Sequence, residues 1–172
     1  MALAYLTSKF LLPPEPHLQM VHAFVVDHGA RLESSFEAAA VAEIARRDYG
    51  FDAHVLPLVW GASGLTKSGF ETRARTARYR ALARACVQHR VRHLLLAHHA
   101  DDQAETVMLR LAMGCGVEGL GGMRAVAGIP ECADVFGAGG VVTWRPFLGV
   151  GKVRLRSPFD KFSSFPIPQR TC

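Results

Sequence analysis

The 172-residue chain has no apolar run near the roughly 18–20 residues needed to cross a bilayer, so no membrane span is expected. Its four cysteines, Cys86, Cys115, Cys132 and Cys172, include no CxxC pair. That spacing gives neither a disulfide framework nor a zinc site, and it suits reduced thiols in an intracellular protein. The opening segment MALAYLTSKFLLPPEP lacks a basic leader and a small-residue cleavage site, which argues against a signal peptide. Charged residues make up only 20% of the chain and hydrophobic ones 49%. This balance excludes disorder and a coiled coil, and it supports one globular domain with a real core. There are no internal repeats. A Walker A loop is lacking too. GASGLTKS (61–68) follows a strand pattern and precedes a helix pattern as such a loop would, but Thr66 stands where glycine must precede the lysine.

What is present begins with charge. The net charge of +5 is concentrated between Lys67 and Arg92, where eight basic residues face one acid, Glu71. That stretch carries +7 and leaves the remainder of the chain at −2. Two readings stay open for it: a solvated helix face, or a contact for a polyanion such as nucleotide phosphates or RNA.

Hydrophobic patterning alternates along the chain. ALAYLTSKFLL (2–12) reads as a helix stopped by Pro13 and Pro14, and MVHAFVVD (20–27) as a strand. SSFEAAAVAEIARRDYG (34–50) reads as a helix with Ser34 and Glu37 in capping-box spacing and Gly50 as its stop. FDAHVLPLVW (51–60) is a second strand, followed by a long helix that ends near His89, with Ser68 and Glu71 again in capping-box spacing. HLLLAHH (93–99) reads as a strand buried on both faces, DDQAETVMLRLAMG (101–114) as a helix and VVTWRPF (141–147) as a short strand. Strands alternating with helices predict an α/β fold, a parallel doubly wound sheet with helices on both faces.

In such sheets ligands bind beyond the carboxyl ends of the strands. Asp27, His28 and Gly29 end one strand, and His98 and His99 end another. On the following helix Asp102 and Glu105 lie three apart and share a face, as do Gln103 and Thr106. Asp101 and Asp102 fall in the first turn, where the helix dipole favours anions. Asp101 as a simple N-cap accounts for one acid, whereas the turn holds three. GCGVEGLGGM (114–123) then offers five glycines, which allow sharp turns and close approach to a ligand, or simply a loop.

HHADDQAETVMLRLAMGCGVEGLGGM (98–123) resembles the signature of the tRNA(Ile)-lysidine synthetase family, a branch of the PP-loop ATP pyrophosphatases. VVDHGAR (25–31), FETRARTARYRAL (70–82) and RPFLGVGK (145–152) resemble its other landmarks in the same order, so the likeness covers about residues 1–152. The resemblance implies a carbon–nitrogen ligase. ATP adenylates the C2 oxygen of a cytidine in the anticodon of tRNA(Ile), and the ε-amine of free lysine displaces AMP. It implies Asp102 and Glu105 as paired carboxylates for the lysine ammonium, with His98 as general base or as a group orienting the adenylated base. It places Asp27 and His28 beside adenine and ribose, with His99 also at the nucleotide. Arg75 and Arg78 would hold phosphates of ATP or RNA, and Arg110 and Arg145 would contact RNA. Mg²⁺ would bridge the ATP phosphates, with no resident metal in the protein.

The chain also departs from that pattern. The SGGxDS pyrophosphate loop is absent, and MALAYL resembles the segment that follows it, so Met1 reads as the first residue after a missing strand and loop. Their loss would remove the backbone cradle for the phosphates and expose two strand edges. Met113 stands where the family carries arginine, and RSPFDKFSSFPIPQRTC diverges from the family pattern. The expectation is therefore a partial PP-loop domain over 1–155 with a divergent tail at 156–172, a fragment of a cytoplasmic or mitochondrial protein. Two other classes stand beside it. One is a metal-dependent phosphohydrolase built on His98, His99, Asp101 and Asp102. The other is a non-catalytic RNA-binding remnant using the basic stretch.

Overall fold

β-branched runs alternating with alanine-rich helices give the α/β class expected. The computed structural model describes residues 2–11, 21–29, 33–58 and 70–156. In order these form α1 (Ala2–Phe10), β1 (His22–Asp27), α2 (Ser34–Tyr49), β2 (Asp52–Pro57), α3 (Phe70–Gln88), β3 (His93–Leu95), α4 (Ala100–Ala112), β4 (Val126–Gly128), β5 (Val142–Trp144) and α5 (Lys152–Arg156). Short 3-10 turns occupy Val117–Gly121 and Ala138–Gly140. The described residues divide into two compact units, the first made of those within 4–95 and 126–144, the second of residues 2–3, 96–125 and 145–156.

The first unit holds every strand among the described residues. β1 and β2 pair in parallel from His22↔Asp52 to Asp27↔Pro57, with α2 as the connection between them. α2 ends where the sequence says it must. Gly50 adopts a left-handed φ of 67°, and the amides of Gly50 and Phe51 bond back to the carbonyls of Arg46 and Ala45. Ala42, Ala45, Phe51 and Ala53 form a buried cluster, with Ala4, Val21, Ala23, Val25, Tyr49 and Val55 packed around it. The alanines let α2 lie close to the sheet, and Phe51 supplies the bulk. Truncating Phe51 to alanine costs about 3–5 kcal/mol by the usual price of a large buried aromatic. α3 buries Tyr79, Leu82, Ala83 and Cys86, a stripe at helical spacing.

Three expectations are corrected. Among the described residues the strands form two sheets, β1–β2 and β3–β5–β4, rather than one. The second is mixed, because β4 runs antiparallel to β5. β3 is three residues long, not seven, since its ladder with β5 stops at Leu95↔Trp144. Leu94 alone on it is buried, and His93 is exposed. The Ser34–Glu37 capping box does not form. Glu33 is the N-cap with no side-chain bond, because Asp27 takes the Ser34 hydroxyl instead. Ser68 and the GASGLTKS segment lie outside the described residues, as does the 157–172 tail.

Candidate functional site

In the first unit, Asp27 closes β1 with its carboxylate turned into the chain. Oδ1 accepts from the Gly29 amide at 2.9 Å and from the Ser34 hydroxyl, and Oδ2 accepts from Ser35 at 2.6 Å. Asp27 is 5% exposed. The serine hydroxyls, Ser34 foremost, with the Gly29 amide and His28, hold its carboxyl below the ordinary range despite burial. Asp27 thus ties the strand end to the first turn of α2. Asp27 is legible in the sequence as a strand-ending acid, but Ser34 reads there only as a helix cap and Ser35 carries no signal, because both reach back seven and eight residues to the carboxylate.

Beside it, His28, Phe70, Glu71, Ala74, Arg75 and Arg78 line a concavity of about 340 Å³. Three of the expected nucleotide residues therefore share one surface of this unit. The guanidinia of Arg75 and Arg78 stand 5.2 and 5.3 Å from the ring centre of Tyr79, whose 1% exposure makes it the buried platform beneath both. The basic helix is less free than its sequence implied. Arg75 Nε donates to Glu131 at 2.7 Å and Thr76 donates to the same carboxylate at 2.8 Å, while Arg80 pairs with Asp134 at 3.2 Å. Burial pushes the Glu131 carboxyl up, but the bonds from Arg75 and Thr76 and the charges of Arg75 and Arg78 outweigh it and hold it low. Counting charge over 67–92 missed these acids because they lie more than fifty residues downstream. The RNA-binding remnant reading loses part of its support, since Arg75 and Arg80 are already paired.

The second unit carries the polar junction. His99, not Asp101, is the N-cap of α4. The His99 amide donates to Asp102 Oδ2 at 2.8 Å, and the Asp102 amide points back at His99 Nδ1 at 3.4 Å, a reciprocal capping box. Asp101 Oδ1 accepts from the Lys152 amide at 3.2 Å. Two of the three acids therefore have partners that a helix start requires. Asp102 Oδ1 carries no hydrogen bond among the described residues, and Glu105 is exposed with neither hydrogen bond nor ion pair there. His98 is half-buried just before the cap.

The glycine-rich turn is fastened to α4. Gln103 donates from Nε2 to the Met123 carbonyl at 3.0 Å and accepts from the Met123 amide at 2.7 Å. Arg110 donates to the Gly122 carbonyl at 2.9 Å. Gly122, at φ 67° and ψ −153°, takes a backbone conformation that side chains oppose. Gln103, noted in the sequence only by its spacing, thus anchors the glycine-rich turn. Arg110 holds the turn. Arg145 corrects an expectation: it is 6% exposed and gives Nη1 to the Arg124 carbonyl at 2.9 Å, so its charge is not offered to an RNA surface. The phosphohydrolase reading is corrected as well. His99 Nδ1 stands 3.4 Å from Asp102 and 3.8 Å from Asp101 within a helix cap, and His98, His99, Asp101 and Asp102 do not form a metal-ligating group.

Comparison with known proteins agrees with this organisation. Residues 1–161 match the PP-loop domain family. The chain is 43% identical over 130 residues to the tRNA(Ile)-lysidine synthase of Novosphingobium aromaticivorans, covering 76% of this chain and 36% of that protein. It is 38% identical over 163 residues to the tRNA(Ile)-lysidine synthase of Rhodopseudomonas palustris, covering 94% of this chain and 42% of the relative. A probable tRNA(Ile)-lysidine synthase of Schizosaccharomyces pombe is 37% identical over 134 residues, covering 73% and 28%. The matched part thus makes up between 28% and 42% of these three relatives. No helix among the described residues is long and apolar enough to cross a membrane.

Proposed function

This chain belongs to the PP-loop domain family, and on that premise we propose that it is the PP-loop portion of an ATP-dependent ligase that joins lysine to an anticodon cytidine of tRNA(Ile). The observation that carries the proposal is the start of α4, where Asp102 in the first turn and Glu105 one turn further on keep carboxylate oxygens without a hydrogen bond among the described residues. A lysine ammonium brings three donors and one charge, and it needs acceptors that are not already committed. Glu105 and Asp102 Oδ1 supply them. His99 holds the other oxygen of Asp102, which fixes the carboxylate for that task. His98 then takes the proton that the ε-amine must lose before it can attack, because an imidazole titrates near neutral pH.

For ATP, the residues lining the concavity of the first unit fit. Its volume of about 340 Å³ lies at the small end of ligand sites. Phe70 gives an apolar wall, His28 a hydrogen-bonding edge, and Arg75 and Arg78 fixed cationic forks suited to phosphate oxygens. Arg78 is the better placed of the two, since Arg75 must leave Glu131 to reach a phosphate. Glu71 is the one acid among the lining residues, so Mg²⁺ arrives on the triphosphate rather than in a cage of carboxylates. The enzyme acts inside the cell, cytoplasmic or mitochondrial, where its tRNA resides.

Glu105→Gln in the native protein that carries this chain tests the assignment. Glu105 is exposed and structurally uncommitted, so folding stays unchanged while KM for lysine rises about tenfold or more, the loss of one charge-assisted bond of about 1.5–3 kcal/mol. An unchanged lysine KM removes Glu105 from the site.

A further inference from the structure

The amino-terminal end of the β1–β2 sheet gathers a second set of polar groups, remote from Asp27. β1 and β2 pair in parallel with His22 beside Asp52 and Phe24 beside His54. Side chains two apart on a strand share a face, so these four stand together on one side of the sheet. His89, just past the end of α3, covers them: its ring lies 4.1 Å from that of His54 and 4.8 Å from that of His22. Five residues of strand, roughly 16 Å, separate His22 from Asp27.

The donor atoms converge. His22 Nδ1 is 3.1 Å from Asp52 Oδ2, His54 Nε2 is 2.9 Å from the same oxygen, and the two nitrogens are 3.2 Å apart. Ligand atoms of His22, Asp52, His54 and His89 all lie within 4.8 Å of one another. Two imidazole nitrogens and a carboxylate oxygen thus form a triangle with edges near 3 Å. Donors bound to one tetrahedral ion at about 2.05 Å stand about 3.3 Å apart, so three corners already have the needed spacing and His89 closes the fourth by a small ring movement. All four residues are half-buried, and Phe24, with its ring 5.7–6.1 Å from the three imidazoles, walls one side.

We propose that His22, Asp52, His54 and His89 form a structural binding site for a divalent transition-metal ion, Zn²⁺ by its donor set. Three imidazoles and one carboxylate suit a borderline ion rather than Mg²⁺ or Ca²⁺, which take oxygen ligands. Four protein ligands leave no open position, which makes the site a staple between β1, β2 and α3 rather than a centre for hydrolysis. It is independent of the ligase reading.

The test is to strip the protein with EDTA, add Zn²⁺ alone, remove the excess and count metal per chain. About one Zn²⁺ is expected, with a higher melting temperature than the stripped protein. His54→Ala and His89→Ala each weaken binding by more than the 10–100-fold that the loss of an outer-shell partner costs, and Cys115→Ser leaves it unchanged. The unsubstituted protein loaded with Co²⁺ gives the visible spectrum of nitrogen and oxygen ligation, a reading that needs no variant to fold. Substoichiometric metal, full stoichiometry in His54→Ala, or an intense thiolate-to-Co²⁺ band overturns the proposal.

Discussion

Gly122 and Gln103 offer a sharp test of how the glycine-rich turn is held. A Cβ built on Gly122 meets Gln103 Cδ and Nε2 at 2.7 Å and Oε1 at 2.8 Å. Those atoms are the ones that clasp the Met123 backbone. Gly122→Ala therefore does two things: it strains a backbone region almost reserved for glycine, at about 1–3 kcal/mol, and it evicts the Gln103 amide. Losing the two amide bonds costs about 0.5–1.5 kcal/mol each, hence about 1–3 kcal/mol. Gln103→Ala loses the same two bonds without the strain. In the double variant the bonds are lost only once, so its cost falls short of the sum of the singles by about 1–3 kcal/mol, the value of the clasp. Urea unfolding followed by circular dichroism measures the cycle, and hydrogen exchange of the Met123 amide reports the same opening locally. Additivity within about 0.5 kcal/mol would refute the clasp, because it would mean the two residues do not share one interaction.

Three further outcomes follow from the same geometry. Asp27 has a lowered folded pKa, so the unfolded chain takes up its proton first; the stability it contributes is present above the unfolded value near 3.8 and is lost as pH falls through the lower folded value. Asp27→Asn flattens that part of the acid limb in a pH series of unfolding midpoints, and an unchanged limb contradicts the assignment. Burial pushes the Cys86 thiol up to about 11, leaving a thiolate fraction near 10⁻⁴ at neutral pH, and Cys132 is raised as well, whereas Cys115 is exposed. An alkylating reagent followed by peptide mass spectrometry should mark Cys115 well before Cys86, and equal rates would contradict that burial. Glu131→Gln releases Arg75 from a partly exposed pair worth about 0.2–1 kcal/mol, which should tighten ATP binding by up to about fivefold in low salt; weaker binding would place Glu131 on the ligand side instead.

The elements most legible in the sequence were those with a local punctuation mark. Gly50 set the end of α2, and the β-branched runs set β1 and β2 within two residues or so. β4 escaped notice because three residues, Val126–Gly128, carry no periodicity and pair only through a strand sixteen residues on. The two helix starts failed for different physical reasons. Ser34 fits a capping box by spacing, but a stronger acceptor, the Asp27 carboxylate, takes its hydroxyl. At α4 the cap is a histidine, an uncommon choice, and the acid that completes the box is one expected to serve lysine. At the site, the family signature led to Asp102, Glu105 and the Arg75–Arg78 face, yet it was silent on Glu131 and on the His22–His89 cluster. Those contacts join residues tens of positions apart, and only the register of β1 on β2 brings His22 to Asp52.

The central claim is that this chain contributes the lysine-holding and phosphate-holding groups of a lysidine ligase. The native protein that carries the chain, given a tRNA(Ile) transcript, labelled lysine and Mg-ATP, tests it most directly. Lysine transfer to the anticodon cytidine, dependent on ATP, with AMP released in step and depressed by Glu105→Gln and by Arg78→Ala, is the predicted result. Absence of transfer by a folded protein, or transfer indifferent to both substitutions, contradicts it.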